Sequence, residues 1–120
     1  MARVTGVGGV FLRSADPKRL TAWYAEHLGF EVSDWGVMFP WKGQDEGMTI
    51  WSGFKQDTDY FGERTQQVMI NYRVDDLDGL LEKLEAAGVW IDPKRQDESY
   101  GRFAWIKDCD GNRVELWQAP

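Results

Sequence analysis

The sequence predicts an α+β fold assembled from two βαβββ modules, and three observations carry that prediction. Two amphipathic helices have matching ends, each follows a strand-like run, and each precedes three more short ones. The copies are also evenly spaced: Asp75 lies 59 positions after Asp16, and Gly88 lies the same distance after Gly29.

The first strand is "GVGGVFLR", rich in the β-branched and aromatic residues that strands favour. The first helix occupies "DPKRLTAWYAEHLGFEV", where Asp16 caps, Pro17 suits the first helical position and Gly29 suits a left-handed stop. Leu20, Trp23, Tyr24, His27 and Leu28 fall on one face, which must pack against a sheet. Three short strands follow in "FEVSDW", "VMFPW" and "MTIWSGF". Residues 53 to 67 form a polar, acidic connection. The second copy begins with "QQVMINYRV", continues into a helix capped by Asp75 or Asp76 with a Leu77, Leu80, Leu81 and Leu84 stripe, and stops at Gly88. Its last strands are "VWI", "RFAWIK" and "RVELWQ", the final two joined as a hairpin at Asp110-Gly111-Asn112.

These 120 residues suit one domain, with module one at 4–54, a linker at 55–66 and module two at 67–118. A formal net charge of −6 argues against a phosphate-backbone binder, and no apolar run is long enough to span a membrane, so neither nucleic acid nor membrane is expected as a partner. Cys109 has no partner for an internal disulfide, and no signal-peptide core opens the chain; a cytoplasmic location is expected. Seven Trp exceed what a core of this size needs and point to an aromatic ligand surface.

With Tyr24 and "HLGF" closing the first helix, "VDDLDGLLEKLEAAGV" in the second and "DCDGNRVELWQ" at the end, the chain resembles the vicinal oxygen chelate superfamily. That group includes glyoxalase I, bleomycin-resistance and fosfomycin-resistance proteins and extradiol dioxygenases. The resemblance implies a curved, cup-like mixed sheet with helices packed outside, a cavity for a metal or small molecule, and a homodimer.

Metal-dependent relatives draw His, Glu or Gln ligands from the first and last strands of each module. The matching positions here are Gly9, Met69, Thr49 or Trp51, and Glu115, so only Glu115 keeps a donor. No metal or other cofactor is therefore expected. His27 lies on the helix stripe and reads as a packed, structural histidine. The "DCDGN" segment lacks the glycine and glutamate positions of a calcium loop, and "GVGG" reads as a close backbone approach.

The resemblance implies that Gly9, Met69 and Glu115 face the cavity, and strand alternation then gives the expected ligand face: Phe11, Arg13, Trp51, Met69, Asn71, Arg73, Glu115 and Trp117, with a dimer interface or the sheet's wet edge as the alternative for Arg13 and Arg73. Such a lining suits a flat, partly apolar ligand, with Glu115 orienting an NH or cationic group. Glu115 pairing with Arg113 or Arg73 is the structural alternative. Two functions follow. The first is metal-free binding of a small aromatic or cationic molecule, nearest to the bleomycin-resistance members. The second is a lyase, isomerase or dioxygenase with Glu115 as the catalytic residue, either a surviving metal ligand or a general base.

Overall fold

The computed structural model describes residues 1–28, 30–41, 47–63, 65–109 and 111–120; of residues 23, 24, 26–28, 41 and 47 only the backbone is described. The element order is β1 (Val4–Ser14), α1 (Pro17–Leu28), β2 (Val32–Ser33), β3 (Gly36–Trp41), β4 (Gly47–Lys55), β5 (Val68–Val74), α2 (Leu77–Ala86), β6 (Gln96–Glu98), β7 (Gly101–Lys107) and β8 (Arg113–Gln118). This is βαβββ twice, in the α+β class. The chain divides into two compact units, residues 9–68 and residues 1–8 with 69–120, so β1 contributes to both.

In the unit of residues 9–68 the strand order is β2-β3-β4-β1. β1 runs parallel to β4, with Gly9 opposite Ile50 and Arg13 opposite Phe54, while β3 is antiparallel to both β2 and β4. A Cβ built at Gly9 would run into the Ile50 carbonyl, which is the close backbone approach the glycine pair suggests. Asp16 caps α1 as expected, accepting the Arg19 N–H at 3.1 Å. The side chains of Trp23, Tyr24, His27 and Leu28, and residue Gly29, lie outside the described residues. The predicted strand "FEVSDW" shrinks to Val32–Ser33, because Asp34 and Trp35 form the turn into β3.

The connection at 55–67 is anchored from within. Phe61 is fully buried against Phe11 and Phe54, and the Phe54 ring stacks on Tyr60. The Arg13 guanidinium lies 5.1 Å from the Phe61 ring and donates to the carbonyls of Gln56 (3.0 Å), Thr58 (2.8 Å), Glu63 (3.4 Å) and Gln66 (3.2 Å). Backbone carbonyls thus take up a buried cation's donors.

In the other unit the order is β1-β5-β8-β7-β6. β5 and β8 are parallel, and β8–β7 and β7–β6 are antiparallel. Asp76, not Asp75, caps α2 by accepting the Gly79 N–H, whereas Asp75 accepts the Arg3 N–H. Gly88, at φ +79°, ends the helix as its position suggests. Leu77, Leu80 and Leu81 pack with Val74, Ala104 and Leu116, flanked by Tyr72, Leu84, Ile106 and Val114. Every strand residue in that core is even-numbered, so the odd-numbered side chains of β5, β7 and β8 point to the opposite sheet face.

Two local expectations change. "VWI" makes no strand: Ile91 forms one isolated bridge with Ile106, and Pro93, which has no N–H, interrupts the pairing. The strand of that edge is β6 instead, further along the same side of β7. The β7–β8 loop spans 108–112 and is organised by Asp108, whose carboxylate accepts both the backbone and side-chain N–H of Asn112, with Gly111 at φ +83°. Asp110 lies outside the described residues. Among the described residues no helix is long and apolar enough to cross a membrane.

Candidate functional site

The face opposite α2 is set by strand register. Asn71 lies opposite Glu115, Arg73 opposite Trp117, Trp105 opposite Glu115 and Phe103 opposite Trp117. Odd parity puts these side chains, with Met69, on one face. At its centre Glu115 is only 2% exposed. Its Oε1 accepts from Asn71 Nδ2 at 2.6 Å and its Oε2 from Trp105 Nε1 at 2.9 Å.

Each donor is itself held. Trp105 is fully buried, with the Arg113 guanidinium 5.5 Å and the Lys94 ammonium 5.7 Å from its ring centroid. Arg113 is fixed by Asp92 at 3.0 Å, a largely buried pair. The Lys94 backbone N–H, then the Arg113 guanidinium, hold the Asp92 carboxyl below its ordinary value of 3.8. Asn71 is 3% exposed and reaches Glu115 with its amide nitrogen, while its Oδ1 is buried with no hydrogen-bond partner. Beyond Glu115 the face is aromatic. Trp117 and Phe103 stack at 6.1 Å with 4° between planes, Tyr100 meets Phe103 edge-on, and Trp117 Nε1 donates to the Tyr100 carbonyl.

The structure therefore brings together Met69, Asn71, Arg73, Glu115 and Trp117 of the expected ligand face. The remaining three belong to residues 9–68. There Phe11 packs on Phe54 and Phe61, Arg13 is engaged by four loop carbonyls, and Trp51 meets Phe30 edge-on at 5.5 Å. Arg113, expected as a structural partner of Glu115, has its salt bridge with Asp92. Of the acidic residues in and shortly before the connection, Asp57, Asp59 and Glu63 are exposed, while Asp45 and Glu46 lie outside the described residues.

Sequence reasoning missed Trp105 and Gly8. Pairing outward from the "DGN" hairpin would have placed Trp105 beside Glu115, since strands leaving one turn pair residues equidistant from it. Gly8 matters through space: a Cβ built on it would fall on Asn71 Oδ1 and lie 3.2 Å from Trp117 Cε3.

The positions that hold the metal in metal-dependent relatives carry few donors here. Gly9 offers no side chain and Met69 is a buried thioether, which leaves Glu115 as the one carboxylate among these positions. Among the described residues no three His, Cys, Asp or Glu side chains converge as a metal cluster. A divalent ion needs several oxygen or nitrogen donors at about 2.0–2.2 Å, and these positions do not supply them. What the arrangement offers is a buried carboxylate aimed by two uncharged donors beside a wall of stacked rings.

A sequence model of the Glyoxalase/Bleomycin resistance protein/Dioxygenase superfamily matches residues 6–116. No curated protein matches the chain. Among solved structures, a Streptomyces coelicolor methylmalonyl-CoA epimerase variant in complex with 2-nitronate-propionyl-CoA is similar at TM-score 0.77 and 17% identity, covering 98% of this chain and 99% of that one. Methylmalonyl-CoA epimerase from Mycobacterium tuberculosis is similar at TM-score 0.62 and 20% identity, covering 98% and 89%. A Legionella pneumophila structure described as NAD-dependent benzaldehyde dehydrogenase is similar at TM-score 0.61 and 14% identity, covering 93% and 98%. At these identities the likeness is one of fold.

Proposed function

Since the chain belongs to the Glyoxalase/Bleomycin resistance protein/Dioxygenase superfamily, we propose that it binds a small, flat, partly apolar molecule whose NH or cationic group is received by Glu115, without a metal ion. One observation carries this reading: a carboxylate 2% exposed, with its oxygens aimed by the neutral Asn71 and Trp105 donors. Burying a carboxylate is costly, and a cationic ligand offsets part of that cost when it arrives. The buried, mutually stacked rings of Phe103 and Trp117 share the face with Glu115, and a cation near such rings gains further attraction. A cytoplasmic homodimer completes the proposal.

The second reading is an enzyme in which Glu115 removes a proton next to a carbonyl, suggested by the fold shared with epimerases that hold acyl-CoA compounds. The two hydrogen-bond donors to Glu115, Asn71 and Trp105, neither take up nor relay a proton at neutral pH, so they serve orientation and not proton transfer. Binding is therefore the better reading.

The test compares three nearly isosteric probes, benzamidine, benzamide and benzoate, by tryptophan fluorescence and calorimetry, with elemental analysis of the same protein. Benzamidine binds at least about tenfold more tightly than benzamide, benzoate does not bind, and Glu115→Gln removes the preference. A stoichiometric divalent metal lost in Glu115→Gln, or proton exchange on methylmalonyl-CoA abolished by that substitution, would sink the metal-free binding reading.

A further inference from the structure

The geometry points to Gly8 as a positioning residue for Glu115, acting through Asn71; this rests on the reading that Glu115 is the polar anchor of the site. An asparagine amide has one donor end and one acceptor end, and both must go somewhere. Here the donor end meets Glu115 Oε1 at 2.6 Å. The acceptor end lies where any side chain at residue 8 would begin, and it finds no N–H or O–H donor. A buried, unmatched carbonyl is costly, and an apolar residue at 71 would avoid the cost. The amide therefore has its use at the other end, where it fixes the direction of the Glu115 carboxylate. That is possible only while residue 8 has no Cβ.

Trp117 closes the other side of the same space, its Cε3 standing 3.2 Å from the built Cβ. Asn71 cannot simply lean that way when residue 8 gains a methyl group. It must turn away from Glu115, and Glu115 then loses the Asn71 hydrogen bond that fixes its Oε1 side. The consequence is specific: Gly8 and Asn71 act as one device, so their substitutions are not additive.

The experiment is a double-mutant cycle with Gly8→Ala, Asn71→Ala and the pair, read by two signals. The first is the indole N–H resonance of Trp105, which donates to Glu115 Oε2 and is assigned by its loss in Trp105→Phe. The second is benzamidine affinity. Each single substitution shifts the Trp105 resonance and weakens benzamidine about tenfold, and the double variant is no weaker than Asn71→Ala alone. Losses that multiply in the double variant, or a Gly8→Ala protein with both signals unchanged, overturn the proposal. Should Gly8→Ala fail to fold, recovery of folding in the double variant supports the coupling, and failure there assigns Gly8 to strand packing and overturns it. If wild-type protein ignores benzamidine, the binding reading has failed, and the Trp105 resonance still decides the Gly8–Asn71 coupling.

Discussion

A buried carboxylate is expensive, and Glu115 shows how single residues meet the expense. Trp105 contributes an indole N–H to Oε2. Trp105→Phe leaves that oxygen without this donor, so we expect it to destabilise the fold by about 1–3 kcal/mol, plus a cavity contribution, in urea titrations at neutral pH. Glu115→Gln keeps one acceptor oxygen where the carboxylate has two, so either the Asn71 or the Trp105 N–H then faces an NH2 group. The centrality of Glu115 was legible in the sequence because it sits in an apolar strand just beyond a Gly-containing turn. Trp105 was not singled out, because a Trp in "RFAWIK" looks like core until its register against residue 115 is counted. Gly8 was illegible as a site residue, since nothing local says that an asparagine far along the chain will need its missing side chain.

At the scale of elements, α2 and the sheet divide labour by parity. Even-numbered residues of β5, β7 and β8 meet the Leu77, Leu80 and Leu81 stripe, which leaves the odd-numbered ones for Glu115 and its neighbours. Leu77→Ala should cost about 2–5 kcal/mol, and Leu84→Ala distinctly less because Leu84 is only half-buried. Asp76→Ala, which removes the α2 cap, should cost about 0.5–2 kcal/mol. Chemical denaturation of the three variants checks the order. Helix ends and the repeated βαβββ order were readable because caps, glycine stops and leucine stripes are local signals. β6 was not: "QDE" carries no alternating apolar pattern and is a strand only because β7 offers it an edge. "VWI" has the right composition but meets Pro93 before a ladder can form.

For the whole molecule, the consequential charges are the fixed ones within the unit formed by residues 1–8 and 69–120. Asp92 is held below its ordinary value by the Lys94 N–H and Arg113, and Asp78 by Arg102 and Arg95. A carboxyl whose folded value is depressed stabilises the fold above its unfolded value near 3.8, and that contribution disappears as pH falls through the folded value. Stability should thus be flat from neutral pH to about 5 and decline below it. Asp92→Asn should lower the plateau and soften the decline, and Asp78→Asn should do little because that surface pair is exposed and screened. Denaturation midpoints between pH 3 and 7 measure both.

Arg13 carries a consequence for how freely the connection at 55–67 can change. Its guanidinium donates to carbonyls of Gln56, Thr58, Glu63 and Gln66, and every residue type has a carbonyl. The anchor is therefore blind to the identity of the residues it holds and sensitive only to the route they follow. Exchanges at Gln56, Thr58 or Glu63 should leave protease resistance of this connection largely intact, whereas Arg13→Lys, with three donors on a single nitrogen, should open it to cleavage. The segment can be rewritten letter by letter yet cannot be shortened or lengthened at will, so its length, more than its spelling, should be what inheritance preserves.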